Sequence, residues 1–278
     1  MPITSEMIDR FHSHLLDEER SGSTVEKYLR AIRDFSRWLG CAELTKEAVT
    51  AWKAELQRRN RAPATVNANL AALNGLLRFM GRDDCRVRFL KVQKRAFREA
   101  SRDLSRAEYF LLIEAARAKG RERTALLIET IGGTGIRVSE AQYITVEAAE
   151  RGCAEIALKG KIRTILIPAK LRHKLLKYAG RNGIRSGVIF RTASGRCMSR
   201  CQIWAEMKAL CRDAHVPPSK VFPHNLRHLF AVTFYRICRD IVKLADVLGH
   251  SSIETTRIYL LTTEKEHQRQ LDRLQLVP

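Results

Sequence analysis

The segment HNLRH has a residue spacing that suits phosphate chemistry. His224 and Arg227 lie three residues apart, which is about one turn of a helix and lets both side chains enter one pocket. Arginine binds phosphate bidentately and stays charged at any working pH. A metal-dependent nuclease would need converging carboxylates, and no D-x-D or paired-Glu pattern stands beside these cations. An H-x-x-R pair alone is also typical of an ordinary surface or core contact.

A second candidate group follows in LGHSSIETTRIYL. Gly249 is predicted to end one helix, and Ser251 with Glu254 predicts a capping box that begins the next. His250 then lies in the corner between the helices. Tyr259, two turns further on, is predicted to return its hydroxyl toward the pocket of the HNLRH segment. A lone tyrosine on an amphipathic helix is usually a core or surface residue, but the order of these residues favours a shared site.

The charge balance independently points to a phosphate-rich partner. The 278 residues include 50 Lys plus Arg against 30 Asp plus Glu, a net charge of +20. Such an excess is typical of proteins that bind nucleic acid, although anionic membranes attract basic proteins too. With 45% hydrophobic and 29% charged residues, the composition excludes fibrous and low-complexity classes.

Neither a membrane segment nor a metal site is predicted. The longest charge-free stretch, residues 62–77, is too short and polar to span a bilayer, and no signal peptide opens the chain. Seven cysteines without a C-x-x-C pair predict reduced thiols and a cytoplasmic location. Cys197 and Cys201 are four residues apart, which without a second cluster does not indicate zinc.

Capping residues predict four helices in the first ninety residues, with short loops between them. The helix starts are indicated by Thr4 or Ser5, by a Ser23–Glu26 capping box, by Thr45 and by Pro63. We therefore predict a helical domain over 1–92.

A basic linker is predicted over 93–104, because five cations accumulate between Lys91 and Arg102 where the apolar period fades. It would cross a phosphate backbone; a solvated charged turn is the alternative.

Residues 105–278 predict a second, mainly helical domain with a small antiparallel sheet. A Ser105–Glu108 capping box opens it. The remaining predicted elements are helices over 106–118 and 121–131 broken by Gly132, Gly133 and Gly135, a short helix after Arg137, a hairpin of 155–158 and 164–167 turning at 159–161, a helix capped by Ser199 and Gln202, and a helix over 224–239.

The motifs, taken together and in order, resemble those of the tyrosine recombinases, or phage-type integrases, and especially the compact Xer-like members. The segments are GGTGIRVSE, LKGKIRT, HNLRH, LGH and a tyrosine nine residues after the LGH histidine. Residues 24–39 and 62–80 are also similar to the second and fourth helices of that family's core-binding (SAM-like) domain. Six signature positions carry over as catalytic residues: Arg137, Lys159, His224, Arg227, His250 and Tyr259.

The resemblance implies a phosphate clamp and a covalent intermediate. Arg137 and Arg227 would bind the two non-bridging oxygens of one phosphodiester, with His250 as a third donor. Tyr259 would attack in line to form a 3′-phosphotyrosyl bond, with His224 as its base. Neither a cofactor nor a metal is implied, because the covalent bond conserves the energy needed for religation.

Lys159 would protonate the departing 5′ oxygen. Lys161 or Arg163 would take that position if the register of the hairpin slipped.

Three residues beside the signature positions are predicted to have supporting roles or none. Glu140 is expected to hold Arg137 or a neighbouring helix. His228 is expected to point off the pocket face and to pack in the core or support the site from behind. Asn225 replaces the aspartate common in the family after the histidine, a change that could weaken a contact behind the site.

The resemblance further implies a C-shaped clamp on duplex DNA and strand exchange by four protomers on two core sites through a Holliday junction. A mobile-element integrase is the preferred role, with dimer resolution, DNA inversion, a type IB-like topoisomerase and a non-cutting DNA-binding protein as alternatives. Accessory DNA-bending or directionality proteins and association with the nucleoid are also expected. The tail after Tyr259 would pack on a neighbouring protomer or fold back on its own domain.

Overall fold

The computed structural model describes residues 3–92, 102–158, 161–260, 268 and 272–274. Contacts divide the chain into two units, Met1–Lys94 and Arg95–Pro278, and each unit has its own hydrophobic core. Lys159, most of the predicted linker and most of the tail after residue 260 lie outside the described residues.

The first unit contains four helices: α1 (Ser5–Asp17), α2 (Gly22–Leu39), α3 (Lys46–Arg58) and α4 (Pro63–Phe79). Thr4 Oγ1 accepts from the Met7 amide at 3.3 Å and Thr45 Oγ1 accepts from the Ala48 amide at 3.2 Å, so both predicted caps are confirmed. The predicted Ser23–Glu26 box is wrong. The N-cap of α2 is Ser21, which places Ser23 inside the first turn.

Two asparagines on α4 tie down the extended chain that leaves this unit. Asn74 and Val87 exchange hydrogen bonds of 3.0 and 3.3 Å, and Asn67 and Leu90 exchange bonds of 3.0 and 2.8 Å. Each amide side chain thus pairs with backbone groups of this segment as a neighbouring strand would, and Lys53 Nζ donates to the Arg88 carbonyl between them at 2.7 Å. Below them lies a core of fully or almost fully buried side chains, among them Phe11, Ile32, Phe35, Leu70, Leu73 and Leu77.

The second unit is mainly helical and contains a two-stranded antiparallel sheet, which confirms the predicted fold class for the described residues. Its capping boxes at Ser105–Glu108 and Ser199–Gln202 are both present. Its helices and strands are α5 (Arg106–Ala118), α6 (Glu122–Thr134), α7 (Val146–Arg151), β1 (Cys153–Leu158), β2 (Lys161–Leu166), α8 (Ala169–Arg181), α9 (Arg200–Lys208), α10 (Pro223–Cys238), α11 (Ile241–Leu248) and α12 (Ile253–Arg257).

Helix α6 runs further than predicted. It passes through Gly132 and Gly133 and ends at Thr134, because α6 packs on α10 and this contact outweighs the low helix propensity of glycine. Gly135 ends it with φ at 69°, and a Cβ there would lie 2.3 Å from the Phe230 ring. A 3₁₀ helix over Val138–Tyr143 replaces the short α-helix predicted after Arg137.

The hairpin also differs from the prediction. Lys161 pairs with Leu158 as the first residue of β2, instead of belonging to the turn. Strand β1 begins at Cys153 and β2 begins at Lys161, so both strands are longer than the predicted 155–158 and 164–167.

After α11, the chain turns at Gly249, where φ is 63°. The predicted Ser251–Glu254 capping box is wrong, since the N-cap of α12 is Ser252 and makes no side-chain capping bond. A 3₁₀ helix over Ile258–Leu260 follows α12 and carries Tyr259. Among the helices that the structure describes, none combines the length and the apolar character that crossing a membrane requires.

Candidate active site

Five of the six predicted site residues come together in the second unit. They arrive from the end of α6, the first half of α10, the α11–α12 corner and the 3₁₀ helix after α12. The five are Arg137, His224, Arg227, His250 and Tyr259. The sixth, Lys159, lies outside the described residues.

Arg227 is the centre of the group and is only 2% exposed. Its Nη1 donates to the Gly135 carbonyl at 2.6 Å, and its Nη2 donates to the Leu248 carbonyl at 2.8 Å. The same Nη2 lies 2.8 Å from His250 Nε2. One guanidinium therefore fixes the end of α6 and the α11–α12 corner relative to α10.

Arg137 is held from one side by a buried carboxylate. Its Nη1 donates to Glu140 Oε1 at 2.9 Å, and its backbone amide donates to Oε2 at 2.7 Å. Glu140 is 1% exposed, whereas 43% of the Arg137 side chain is exposed. The expectation that Glu140 holds Arg137 is confirmed, and the guanidinium is oriented while staying open to an incoming phosphate.

The hydrogen bonds of His250 define its tautomer. A guanidinium can only donate, so Nε2 accepts from Arg227 and Nδ1 carries the proton, which points at Thr256 Oγ1, 2.8 Å away. Burial, and then the charges of Arg227 and Arg137, lower the pKa of His250 to about 4. His250 is therefore neutral at pH 7 in this DNA-free state, and its Nε2 can donate to a phosphate only after that nitrogen has gained a proton.

Tyr259 lies among three imidazoles. Its ring is 5% exposed and stacks on His250 with centroids 5.8 Å apart. The His224 centroid is 5.8 Å away and the His228 centroid 5.4 Å away. Burial and the charge of Arg137 lower the pKa of Arg227, and the nearby Tyr259 side chain opposes this shift, so the candidate nucleophile lies close to the candidate clamp.

Burial and the charge of Arg227 lower the pKa of His224 below its ordinary value of 6.5, so this imidazole stays neutral at pH 7 and has a nitrogen free to accept a proton. His228 is buried and packs against Tyr259, so its predicted packing role is confirmed, whereas the prediction that it points off the pocket face is wrong. Residues four apart share a helix face, and Tyr259 packs on the face that carries both histidines.

Two more residues belong to the site although their spacing gave no local signal for these contacts. Thr256 is fully buried and fixes His250. Arg163, one of the two alternatives to Lys159 as the acid, donates instead to Glu140 Oε2 at 3.0 Å and to the Leu248 carbonyl.

Within the described ranges, no group of three or more His, Cys, Asp or Glu side chains is placed to hold a metal ion.

Asn225, the departure from the family pattern, makes contacts that an aspartate could not make. Its Nδ2 donates to the carbonyls of Arg102 at 2.6 Å and Lys220 at 2.8 Å, and the residue is 6% exposed.

Asn225→Asp is expected to lower the free energy of unfolding by about 2–3 kcal/mol, because a carboxylate would face two carbonyl oxygens. Denaturant titration measures this. The exposed Asn182 makes one such bond, to the Tyr178 carbonyl, and Asn182→Asp is the control, with a loss below about 1 kcal/mol.

The lowered pKa of His250 predicts a pH-dependent stability. The unfolded chain takes up a proton at this position near pH 6.5 and the folded chain near pH 4, so stability is complete above pH 6.5 and falls as the pH falls toward 4. We expect His250 to contribute about 1–2 kcal/mol to the stability lost between pH 7 and pH 5. Melting curves at both pH values should show that His250→Gln loses less stability between pH 7 and pH 5 than the wild-type protein does. Equal losses in the two proteins would contradict the assigned neutral state.

Comparison with known proteins gives matches over both units. Residues 102–266 match the Phage integrase family, and residues 8–83 match the family's N-terminal SAM-like domain. Tyrosine recombinase XerA of Pyrococcus furiosus is 28% identical over 99% of this chain and 96% of its own length. Tyrosine recombinase XerC of Roseiflexus castenholzii is 28% identical over 95% of this chain and 91% of its own.

Solved structures show the same fold. A lambda integrase tetramer bound to a Holliday junction superposes with a TM-score of 0.73 at 18% identity, over 91% of this chain and 76% of that one. XerH bound to a palindromic difH substrate, a post-cleavage complex, gives 0.70 at 19% identity, over 89% and 78%. Because the family match covers more than half of the chain and includes the whole described site, this protein belongs to the phage integrase family and is a tyrosine recombinase.

Proposed function

We propose that Tyr259 attacks a DNA phosphodiester held by Arg137 and Arg227, and that the chain thereby exchanges strands at specific sites through 3′-phosphotyrosyl intermediates and a Holliday junction. The observation that carries this proposal is that the buried Arg227 donates to His250, whose ring stacks on that of Tyr259. One buried cation thus links the nucleophile to the groups that would bind the phosphate.

The clamp acts on charge that develops during attack. As phosphorus becomes five-coordinate, its equatorial oxygens gain negative charge, and guanidinium groups fixed in advance stabilise that state more than the ground state. The Arg137 side chain is 43% exposed, and besides Glu140 its guanidinium donates to the Gly249 carbonyl over a long 3.4 Å distance. Arg227 must exchange one of its contacts for a phosphate oxygen, and its Nη2, shared between Leu248 and His250, is the suitable donor.

Proton transfer completes the mechanism. His224, neutral at pH 7, takes the proton of the Tyr259 hydroxyl. We assign the protonation of the departing 5′ oxygen to Lys159. The guanidinium of Arg163 is engaged by Glu140 and Leu248, which makes it a poor candidate for that step.

The oligomeric state and the biological role belong to the same proposal. The lambda integrase relative is a tetramer on a Holliday junction, and we propose a homotetramer on two core sites in duplex DNA, assisted by accessory DNA-bending or directionality proteins, in the cytoplasm at the nucleoid. Integration and excision of a mobile element is one role. Dimer resolution is the second role. It is favoured because the alignments with Xer recombinases cover almost the whole length of both chains.

Covalent capture from a mixture of DNA sequences tests the chemistry and recovers the target site in one experiment. A library of randomised duplexes, each with a nick beside the variable region, is incubated with the protein, and adducts that survive detergent are isolated and sequenced. A recovered sequence is then placed twice on a plasmid. We expect an adduct and recombinant products. Binding without an adduct would contradict cleavage, and relaxation of the plasmid without recombinants would indicate topoisomerase activity.

A further inference from the structure

Arg163 connects the β-hairpin to the phosphate clamp. It lies on β2, and its side chain is 12% exposed. Its Nη2 donates to Glu140 Oε2 at 3.0 Å, and its Nη1 donates to the Leu248 carbonyl. The side chain thus reaches from the sheet to the end of α11.

Both acceptors of Arg163 are shared with a clamp arginine. The Glu140 carboxylate also binds the side chain and the backbone amide of Arg137. The Leu248 carbonyl also accepts from Arg227. A single guanidinium therefore contacts the group that orients each of the two arginines proposed to hold the phosphate.

The packing around Arg163 leaves it little freedom to move. A Cβ on Gly249 would lie 2.2 Å from Arg163 Cδ, so a residue with a side chain at position 249 would clash with Arg163. The buried Nε of Arg163 has no hydrogen-bond partner among the described residues. Burial lowers the pKa of its guanidinium to about 10. A buried charge with an unpaired N–H is unfavourable for stability. Such a feature is expected where geometry matters more than stability.

We propose that Arg163 is a positioning residue that sets the separation and orientation of Arg137 and Arg227 through Glu140 and the Leu248 carbonyl. This role rests on the strand cleavage proposed above. In this proposal Arg163 itself does not contact the phosphate. Loss of Arg163 should therefore lower the rate of the chemical step and leave the affinity for DNA almost unchanged.

The test compares Arg163→Met with a matched variant in the same unit. Like Arg163, Arg123 donates both to a glutamate and to a backbone carbonyl, which here belong to Glu206 and Arg191. The Nε of Arg123 also has no hydrogen-bond partner among the described residues. Single-turnover adduct formation is measured on the nicked duplex recovered by capture, at saturating concentrations of protein. DNA affinity and melting temperature are measured in parallel.

We expect Arg163→Met to slow adduct formation by roughly 10²-fold, the loss typical of a reacting group displaced by about 1 Å. Arg123→Met should keep the wild-type rate even if its melting temperature falls as far. Arg163→Lys, which can still bind Glu140, should recover part of the rate. Adding Glu140→Gln to Arg163→Met should cost less than the two single losses multiplied, because both act through Arg137.

An Arg163→Met protein that forms the adduct at the wild-type rate would overturn the inference and leave the proposed function standing. So would an equal loss in Arg123→Met, since the effect would then follow stability. Wild-type protein that forms no adduct would contradict both the proposed function and this role.

Discussion

Tyr259→Phe is expected to lower adduct formation on the nicked duplex by at least about 10⁴-fold, because it removes the oxygen that bonds to phosphorus. The ring is buried among three histidines and stays in place in the variant. DNA affinity should therefore change little. The measurement is the fraction of DNA retained with denatured protein over time, beside a mobility-shift titration of the same duplex.

A control for the Tyr259 variant is available beside the apolar cluster that Tyr259 forms with Ala231, Leu244 and Leu248. Tyr235, on α10, packs partly buried against it, and Tyr235→Phe removes a hydroxyl of the same kind. This variant should form the adduct at the wild-type rate. If the Tyr259 variant captured DNA as wild type does, another residue would be the nucleophile.

The second large effect is expected at Arg227, and it distinguishes this arginine from Arg137, the other residue proposed to bind the phosphate. Arg227→Lys is expected to lower the cleavage rate by about 10²–10³-fold and also to destabilise the unit by about 2–4 kcal/mol. An ammonium group cannot reproduce the fork that reaches the Gly135 and Leu248 carbonyls together. The Gly135 carbonyl would then lose this donor, and the Leu248 carbonyl would keep the bond from Arg163.

Arg137→Lys provides the contrast, because it changes the same chemistry at an exposed position. It should lower the cleavage rate by a similar factor, since bidentate binding of the phosphate is lost. Its melting temperature should stay close to that of wild type, because 43% of the Arg137 side chain is exposed. Single-turnover rates and melting curves of both variants measure this difference. Equal destabilisation would contradict the structural role assigned to Arg227.

Local chemistry predicted much of the secondary structure. The caps at Thr4, Thr45, Ser105 and Ser199 were predictable, because each depends on a side chain three residues or fewer from its partner. The predicted end of α6 was wrong because tertiary packing outweighed a local signal there. The pair Gly132 and Gly133 stays helical because α6 packs on α10.

The sequence by itself determined the fold class and the identity of the motif residues, since helical period, capping and motif order are properties of neighbouring positions. The tertiary structure decided which side chains meet. Arg227 reaches Gly135 across 92 positions, and Arg163 reaches Leu248 across 85. Contacts at such separations depend on how α6, α10 and the hairpin pack, and no local period encodes them. The tautomer of His250 and the neighbours of Tyr259 follow from that packing.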